Sequence, residues 1–573
     1  MVTIEVNERK LTGNEGETIL QVLRRNGIHV PTLCHMPELV PSGACRLCVV
    51  EVEGMRTLVP SCAYPVAEGM KIQTHSPRAV RARKTIVELL LANHPDDCLY
   101  CVRSGNCALQ SLAENQGVSE RRYPGTRNRL RLDVSSPSIV RDPEKCILCG
   151  KCVRVCEEIQ GVAAIDFIGR GSRTKIGTAF DRGLNVSSCV NCGQCIMVCP
   201  TGALREQSSI KEVLAALSDP ERHVVVQHAP SISVTLGEEF GMKPGTDVDG
   251  LLTAALRRLG FARVFDTSFS ADLTIMEEAS ELVHRLRTGG VLPMMTSCSP
   301  GWIKFVEQFY PDMIPNLSTC KSPQQMLGAL IKSLYATRMG LAPAKVFSVA
   351  IMPCVAKKFE AGRPEMAAAG LADVDAVLTT RELARILRRR GLDLKSLEPE
   401  PADSPFGGRS TAGKIFGASG GVMEAAVRTA HYLLTGQHMA ELEVRAVRGL
   451  EGTKEARVTV GDVELAVAVV SGLGNARRLL EAVRGGHRSL HFIEVMTCPG
   501  GCVNGGGQPI GLVADNVRAR LASLYRIDAQ ASIRTSYSNP MIKRVYAEYL
   551  GEPLGERSHQ LLHTHYARRQ VLA

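Results

Sequence analysis

Two cysteines four apart open the stretch Cys498-Pro-Gly-Gly-Cys502-Val-Asn-Gly-Gly-Gly-Gln-Pro509, and a run of glycines follows them that neither a helix nor a strand would choose. Glycine lets a backbone come close to a bulky ligand and take up positive φ at low steric cost. Soft thiolates beside a glycine-lined hollow point to an iron–sulfur centre with a further group packed against it. The chain holds 20 cysteines, fifteen of them within its first 199 residues, and those fifteen fall into spaced sets.

The strongest set is a pair of runs, Cys146-x2-Cys149-x2-Cys152-x3-Cys156 and Cys189-x2-Cys192-x2-Cys195-x3-Cys199-Pro200. This is the bacterial ferredoxin spacing, in which the fourth cysteine of each run ligates the other run's 4Fe–4S cubane. One cluster is therefore expected on Cys146, Cys149, Cys152 and Cys199, and a second on Cys189, Cys192, Cys195 and Cys156. Further upstream, Cys34, Cys45, Cys48 and Cys62 keep the one-plus-pair-plus-one layout of plant ferredoxins at a different spacing, with Gly43-Ala44 where a loop must wrap the centre. Four such thiolates fit one 2Fe–2S cluster, whereas four-cysteine zinc sites usually come as two pairs. Between these sets, His94-Pro-Asp-Asp-Cys98-Leu-Tyr-Cys101-x5-Cys107 offers three thiols and one imidazole. A cubane needs four ligands, and histidine ligation has precedent in Rieske centres, so His94 is expected to complete this one. Sixteen ligands thus account for one 2Fe–2S and three 4Fe–4S clusters. Cys298, Cys320, Cys354, Cys498 and Cys502 remain, and one more cubane takes four of them at most. Four relay clusters leading to a buried fifth form an electron wire into an active site.

The elements that must hold these ligands follow from periodicity. Period-two alternation at Thr3–Val6 and Val49–Val52 predicts a small sheet, with a helix near Thr18–Asn26. Residues 80–118 read as helical, through Val87–Leu91 and Ala108–Ala113, and 119–138 as a basic loop. From about 210, short apolar runs at Val224–Val226, Val346–Ile351 and His491–Val495 alternate with amphipathic stretches at Leu251–Leu259, Met276–Leu286, Pro323–Leu334 and Arg381–Leu387. That alternation predicts a mostly parallel sheet covered by helices, with ligands beyond the carboxyl ends of the strands. Ala229-Pro230-Ser231, Thr296–Trp302, Met352-Pro353-Cys354 and Cys498 each follow an apolar run, so four strand-end loops are expected to converge on one site. Residues 391–410 read as a proline-rich loop and the last forty or so as a polar helix and tail. The fold class is multidomain α/β: a plant-ferredoxin-like 2Fe–2S domain over 1–78, a 4Fe–4S domain over 79–118, a ferredoxin-like α+β domain over 138–208 and an α/β catalytic domain with mostly parallel sheets over 210–573, for which a two-lobed form is implied by a family resemblance rather than by the periodicity.

Composition excludes several classes of function. At 573 residues with 45% apolar and 22% charged, this is an ordinary multidomain globular chain. No run approaches the ~18 apolar residues that span a bilayer, and the N-terminus lacks a basic stretch leading into an apolar one. A cytoplasmic location is expected, where CxxC spacings signify metal or redox centres more often than disulfides. The net charge of +10 is scattered and interleaved with acids, without aromatic platforms for nucleic acid. It reads as solvated helix faces, with a docking surface for an acidic electron carrier as the other reading.

Thr296–Trp302, Met352-Pro-Cys-Val-Ala-Lys-Lys-Phe-Glu360 and Glu494–Pro509 resemble the three signature segments of the iron-only (FeFe) hydrogenases, and the upstream modules match the long members of that family. The resemblance implies an H-cluster: a cubane joined through one cysteine to a two-iron unit bearing CO, cyanide and a dithiolate bridge. It implies Cys354, Cys498 and Cys502 as cubane ligands, with Cys502 the bridge. It implies Ala229, Pro230, Ser231, Met352, Lys357 and Met496 around the two-iron unit, with Lys357 the cation for a buried cyanide. Cys298, Glu278, Ser318, Glu281 and Arg285 match its proton path, in which burial would raise the carboxylates toward neutrality. The match fails at one place. Long members show Thr-Ser-Cys-Cys-Pro, where this chain has Ser299 second, and a hydroxyl is a harder and far less acidic ligand than a thiol. Ser299 as an alkoxide, Cys298, or Cys320 would complete the cubane, or no protein ligand does.

The implied activity is reversible reduction of protons to H2. The proton couple near about −0.41 V at pH 7 and ferredoxin-type clusters near about −400 mV allow electrons to run either way. The implied partners are ferredoxin, a flavin- and NAD(P)-binding subunit and a small 2Fe–2S subunit in a hetero-oligomer, since the segment Leu550–Tyr566 resembles members of NAD(P)-linked complexes and no dinucleotide fingerprint is present. The competing readings are a hydrogen-sensing or cluster-assembly relative, favoured by Ser299, and an electron-transfer subunit of an NADH dehydrogenase, favoured by residues 1–200 alone.

Overall fold

The computed structural model describes residues 1–571 other than Thr126, Asn128, Ala369, Asp462 and Leu512. At the N-terminus, five strands pair in the order Arg9–Gly13, Val2–Val6, Lys71–Gln73, Val49–Val52 and Val59–Pro60. Alternate residues such as Ile4, Val6, Val50 and Ile72 face a core closed by the helix Ile19–Arg25. Thr18 and Gln21 cap that helix reciprocally, each side chain bonding the other's backbone N–H. The helices Pro77–Ala92 and Ala108–Asn115 then frame the histidine-containing set, and the antiparallel strands Ile139–Arg141 and Leu204–Glu206 close the ferredoxin-like unit.

From residue 210 the βα alternation divides into two sheets. One is wholly parallel, in the order Arg263–Asp266, His223–His228, Val346–Met352 and Ala376–Thr379. All seven residues of Val346–Met352 are buried, as both-face coverage by helices requires. The other sheet runs Met294–Met295, Phe492–Met496, Val463–Ser471 and Thr453–Val460. Its last pair is a long antiparallel hairpin, and the other pairs of the two sheets are parallel, as a mostly parallel pattern predicts. The 22-residue helix Thr267–Thr288 packs against both halves; Asp266 caps its start and Gly289, at φ 70°, ends it.

The expectation of a polar helix and tail over the last forty residues is corrected. Pro540–Val545 continues into the helical turn Tyr546–Leu550, and with the helix Glu556–Leu562 they bury Ile542, Val545, Leu550 and Leu562 against Phe265, Phe269 and Leu327. Their charged residues are the outer faces of amphipathic turns, which in short helices outnumber the inward apolar ones. Among the described residues, no helix is long and apolar enough to cross a membrane.

Candidate metal centre

The two sheets deliver four strand-end loops to one cavity. His223–His228 leads to Ala229, Pro230 and Ser231, and Val346–Met352 to Met352 itself, Cys354 and Lys357. Met294–Met295 leads to Cys298 and Ser299, and Phe492–Met496 to Met496, Thr497, Cys498 and Cys502. Burial pushes the thiols of Cys298 and Cys498 well up, raises Cys354, and lifts Cys502 to about 12. Thiols so deeply buried keep their protons until a metal replaces them.

The glycine run is packed rather than loose. A side chain at Gly501, at φ 95°, would stand 2.6 Å from the Ser419 N–H nitrogen; one at Gly505 would stand 2.3 Å from the Pro353 carbonyl oxygen. At Gly506 it would lie 2.4 Å from the Cys192 carbonyl oxygen, so only glycine lets this loop touch the ferredoxin-like unit. Gln194 donates across the same junction to the Asn504 carbonyl at 3.0 Å. The second ferredoxin set therefore abuts the central cavity.

Ser299 and Cys298 face different surroundings. The Ser299 hydroxyl sits 2.7 Å from that of Thr497, next to Cys498. The charge environment of Cys298 is set by Glu278 and Lys357, whereas Cys498 is surrounded by Cys354, Cys192 and Cys502. Cys320 is not on the cavity wall; its thiol is fully buried beside Glu281. Lys357 pairs with Glu360 at 2.9 Å and donates to the Cys298 carbonyl at 3.1 Å. Ser231 accepts from Gln508, which also donates to the Cys502 carbonyl.

The acids of the long helix lead outward from Cys298. Glu278 is 0% exposed, and neither carboxylate oxygen has a hydrogen-bond partner at normal distance among the described residues. Burial, then the neighbouring Glu281, pushes its pKa up to about 8. Glu281, 7% exposed, accepts from Ser318 at 2.8 Å and from the Thr319 N–H at 3.1 Å, and pairs with Arg285 at 2.6 Å. Arg285 is anchored by the carbonyls of Val291, Pro315 and Leu317 and reaches the surface.

The accessory sets also come together. Cys146, Cys149, Cys152 and Cys199 line one cavity, and Cys156, Cys189, Cys192 and Cys195 another. Cys34 and Cys45 form one close thiol pair, Cys48 and Cys62 another; hydrogen bonding within each pair lowers one thiol and raises its partner. His94 is 8% exposed; its Nδ1 faces the Pro95 carbonyl at 3.0 Å, and its buried Nε2 has no partner among the described residues. A buried ring nitrogen with nothing to bond is the donor an iron would satisfy. Cys98 is exposed and Cys101 and Cys107 are half-buried.

Sequence reasoning missed Thr497, Gln508, Thr319 and His563. Each acts through a partner remote in the chain, and nothing local singles them out. It also passed over Glu494 as a titrating group: this carboxylate is fully buried, accepts the Gly420 and Met423 N–H groups, and is pushed by burial up to about 7.

Comparison with known proteins agrees in extent with this geometry. Residues 222–506 match the C-terminal domain of the iron-only hydrogenase large subunit, and 514–569 the iron hydrogenase small subunit. Residues 1–77 match a 2Fe–2S cluster binding domain, 83–122 the NADH-ubiquinone oxidoreductase-G iron–sulfur binding region, and 136–205 the ferredoxin-like domain of NADH-quinone oxidoreductase subunit 3. The NADP-reducing hydrogenase subunit HndD of Solidesulfovibrio fructosivorans is 48% identical, covering 100% of both chains. Iron hydrogenase 1 of Clostridium pasteurianum is 41% identical over 99% of this chain and 100% of its own length. The apo FeFe-hydrogenase HydA1 structure from Chlamydomonas reinhardtii, 41% identical, superposes with a TM-score of 0.57 over 63% of this chain and 99% of its own.

Proposed function

The chain belongs to the iron-only (FeFe) hydrogenases, and from that premise we propose how its residues share out the reversible reduction of protons to hydrogen. The observation that carries the reading is the convergence of four strand-end loops, with three mutually facing thiols and a buried lysine, on one cavity that touches a ferredoxin-like unit on one side and a row of buried acids on the other. When bound there, an H-cluster supplies the metal chemistry of hydrogen formation.

Cys354, Cys498 and Cys502 would hold its cubane, and Ser299 takes the fourth place. Supporting this, Ser299 lies next to Cys498 through Thr497, Cys320 is off the cavity wall, and Cys298 looks toward Glu278. Cys298 is thereby left to move protons. Lys357 supplies a cation to the cavity, with Glu360 and the Cys298 carbonyl fixing its ammonium. Ser231 is an orienting hydroxyl, and Ala229, Pro230, Met352 and Met496 exclude water. Glu278 passes a proton between Cys298 and Ser318, and Glu281 exchanges it toward Arg285 and the surface. One 2Fe–2S and three 4Fe–4S clusters on the sixteen upstream ligands would relay electrons. Ferredoxin, a flavin- and NAD(P)-binding subunit and a small 2Fe–2S subunit are the proposed partners, and the cytoplasm the proposed location; the NADP-linked name of the HndD relative supports the nucleotide-linked partner. A cluster-assembly role has a parallel in mouse cytosolic iron-sulfur assembly component 3, 35% identical over 60% of this chain. The buried acid row favours turnover instead.

The test is anaerobic maturation of the full chain with the two-iron cofactor. CO and cyanide infrared bands together with hydrogen evolution from reduced viologen are expected. Bands without turnover would overturn the catalytic reading in favour of a sensor.

A further inference from the structure

A second buried network lies beside the acid row and is not used by the mechanism above. The Thr319 hydroxyl is 2.8 Å from His563 Nδ1 and 3.5 Å from Glu281 Oε2, the oxygen that also accepts the Thr319 N–H. On its other side His563 Nε2 meets Glu277 Oε2 at 3.1 Å. Glu277 is 0% exposed and also accepts from Tyr546, Ser558 and the Leu554 N–H at 2.8 Å. Burial works against its charge, but the hydrogen bonds from His563, Ser558, Tyr546 and Leu554 outweigh it and hold the carboxyl below its ordinary range. His563 is thus a ring with an ionised acid behind it and a hydroxyl in front that leads to Glu281. One helical turn back, the exposed His559 packs over it with ring centroids 4.3 Å apart. The His563 side chain is 4% exposed, and the exposed His559 ring lies against it.

We infer that His563, with Thr319, is a second proton entry that joins the acid row at Glu281, in parallel with Arg285. The inference rests on the reading of Glu281 as a proton-path residue. In the step, a proton taken up from water at His563 Nδ1 moves to the Thr319 oxygen as Thr319's own hydroxyl proton moves to Glu281 Oε2. No electron moves, His563 returns to its neutral form, and water at the His559 edge supplies the next proton. The charged and titratable groups around the ring are Glu277 and Glu281, with Arg285 beyond, from the long helix; Cys320 beside Glu281; Tyr546 from the preceding helix; and His559 from its own. The Glu277 carboxylate faces Nε2 and the Thr319 hydroxyl faces Nδ1, so each ring nitrogen has an oxygen to which a proton can pass.

Matured full-length holoenzyme carrying His563→Gln, Thr319→Val or Thr319→Ser provides the test. Thr319→Val removes only the hydroxyl and leaves the N–H bond to Glu281, so it tests the branch even where His563→Gln misfolds. Hydrogen evolution is measured across about pH 6 to 9, with infrared spectra of the same samples. The expected result is a several-fold loss with an altered pH profile in His563→Gln and Thr319→Val, recovery in Thr319→Ser, and unchanged CO and cyanide bands. Parent-like rates and profiles in Thr319→Val, with the bands present, overturn the branch. Absence of the bands from the parent itself overturns the underlying hydrogenase reading and the branch with it, a distinguishable outcome.

Discussion

Ser299 and Thr497 face each other across the seam between two strand-end loops, with their hydroxyl oxygens 2.7 Å apart. Ser299 is the N-cap of the helix Pro300–Phe309 yet makes no capping bond to it. An N-cap serine ordinarily turns back to its own helix. Here the oxygen turns to Thr497, whose N–H also points at it from 3.4 Å. Donors aimed at an oxygen favour its anionic form, and a harder oxygen ligand favours the more oxidised iron. Ser299→Cys is therefore expected to raise the reduction potential of the central cubane, and Ser299→Ala to lower its occupancy. Potentiometric titration followed by electron paramagnetic resonance checks both; an identical potential in Ser299→Cys would remove Ser299 from the ligand set.

His94 gives a second prediction. Replacing a neutral imidazole by an anionic thiolate lowers a cluster's potential, as the contrast between Rieske and all-cysteine centres illustrates. His94→Cys should retain the iron of the parent and shift one cluster to lower potential, and His94→Ala should lose about one cluster's worth of iron. Iron analysis with redox titration reads both. An unaltered iron count in His94→Ala would show that the unpartnered Nε2 binds no cluster.

Gly506 gives a third. A methyl there would meet the Cys192 carbonyl oxygen at 2.4 Å and Gly193 Cα at 2.8 Å, both backbone, so the junction must open rather than a side chain shift. Gly506→Ala is expected to slow electron delivery from reduced ferredoxin much more than it alters the infrared bands of the central site. Stopped-flow reduction of the upstream clusters compared with steady-state hydrogen evolution separates the two.

The two cysteine groupings that line common cavities were legible because three members of each lie a few residues apart and the fourth follows from the paired-run pattern. Strand-end loops were legible for the same local reason: each ligand follows an apolar run. The division into two sheets came with the family resemblance and not from periodicity, because Met294–Met295 pairs with Phe492–Met496 across about 200 residues and no local pattern records that choice. The hairpin of the second sheet did carry a signal, Val460-Gly461-Asp462-Val463, a short-turn sequence between two alternating runs. His563 was hidden more deeply. Its partners Thr319 and Glu277 lie 244 and 286 residues away, so only the packed C-terminal helices reveal it.

Glu278 makes the sharpest pH prediction. Its carboxyl is raised from an ordinary 4.5 to about 8 because burial, then Glu281, disfavours the charge. It is therefore protonated at neutrality and able to give a proton, which Glu278→Gln cannot do. Loss of a positioned proton donor of this kind costs about 10²–10⁴ in rate, and the infrared bands should survive. The same shift sets a stability trend. Between the unfolded and folded values the native chain holds a proton that the unfolded chain has released, so stability falls as pH rises. That contribution is fully present below the ordinary carboxylate range and is lost as pH passes about 8. Glu494 contributes a trend of the same sign that fades through about 7. Between about 7 and 8 both groups titrate, with the Glu494 contribution fading first. Thermal midpoints of thiol-reduced protein should therefore drop through this interval in the parent and drop less in Glu278→Gln. Equal drops in the two proteins would mean that Glu278 is already ionised at neutrality, and the acid row would then lack its inner donor.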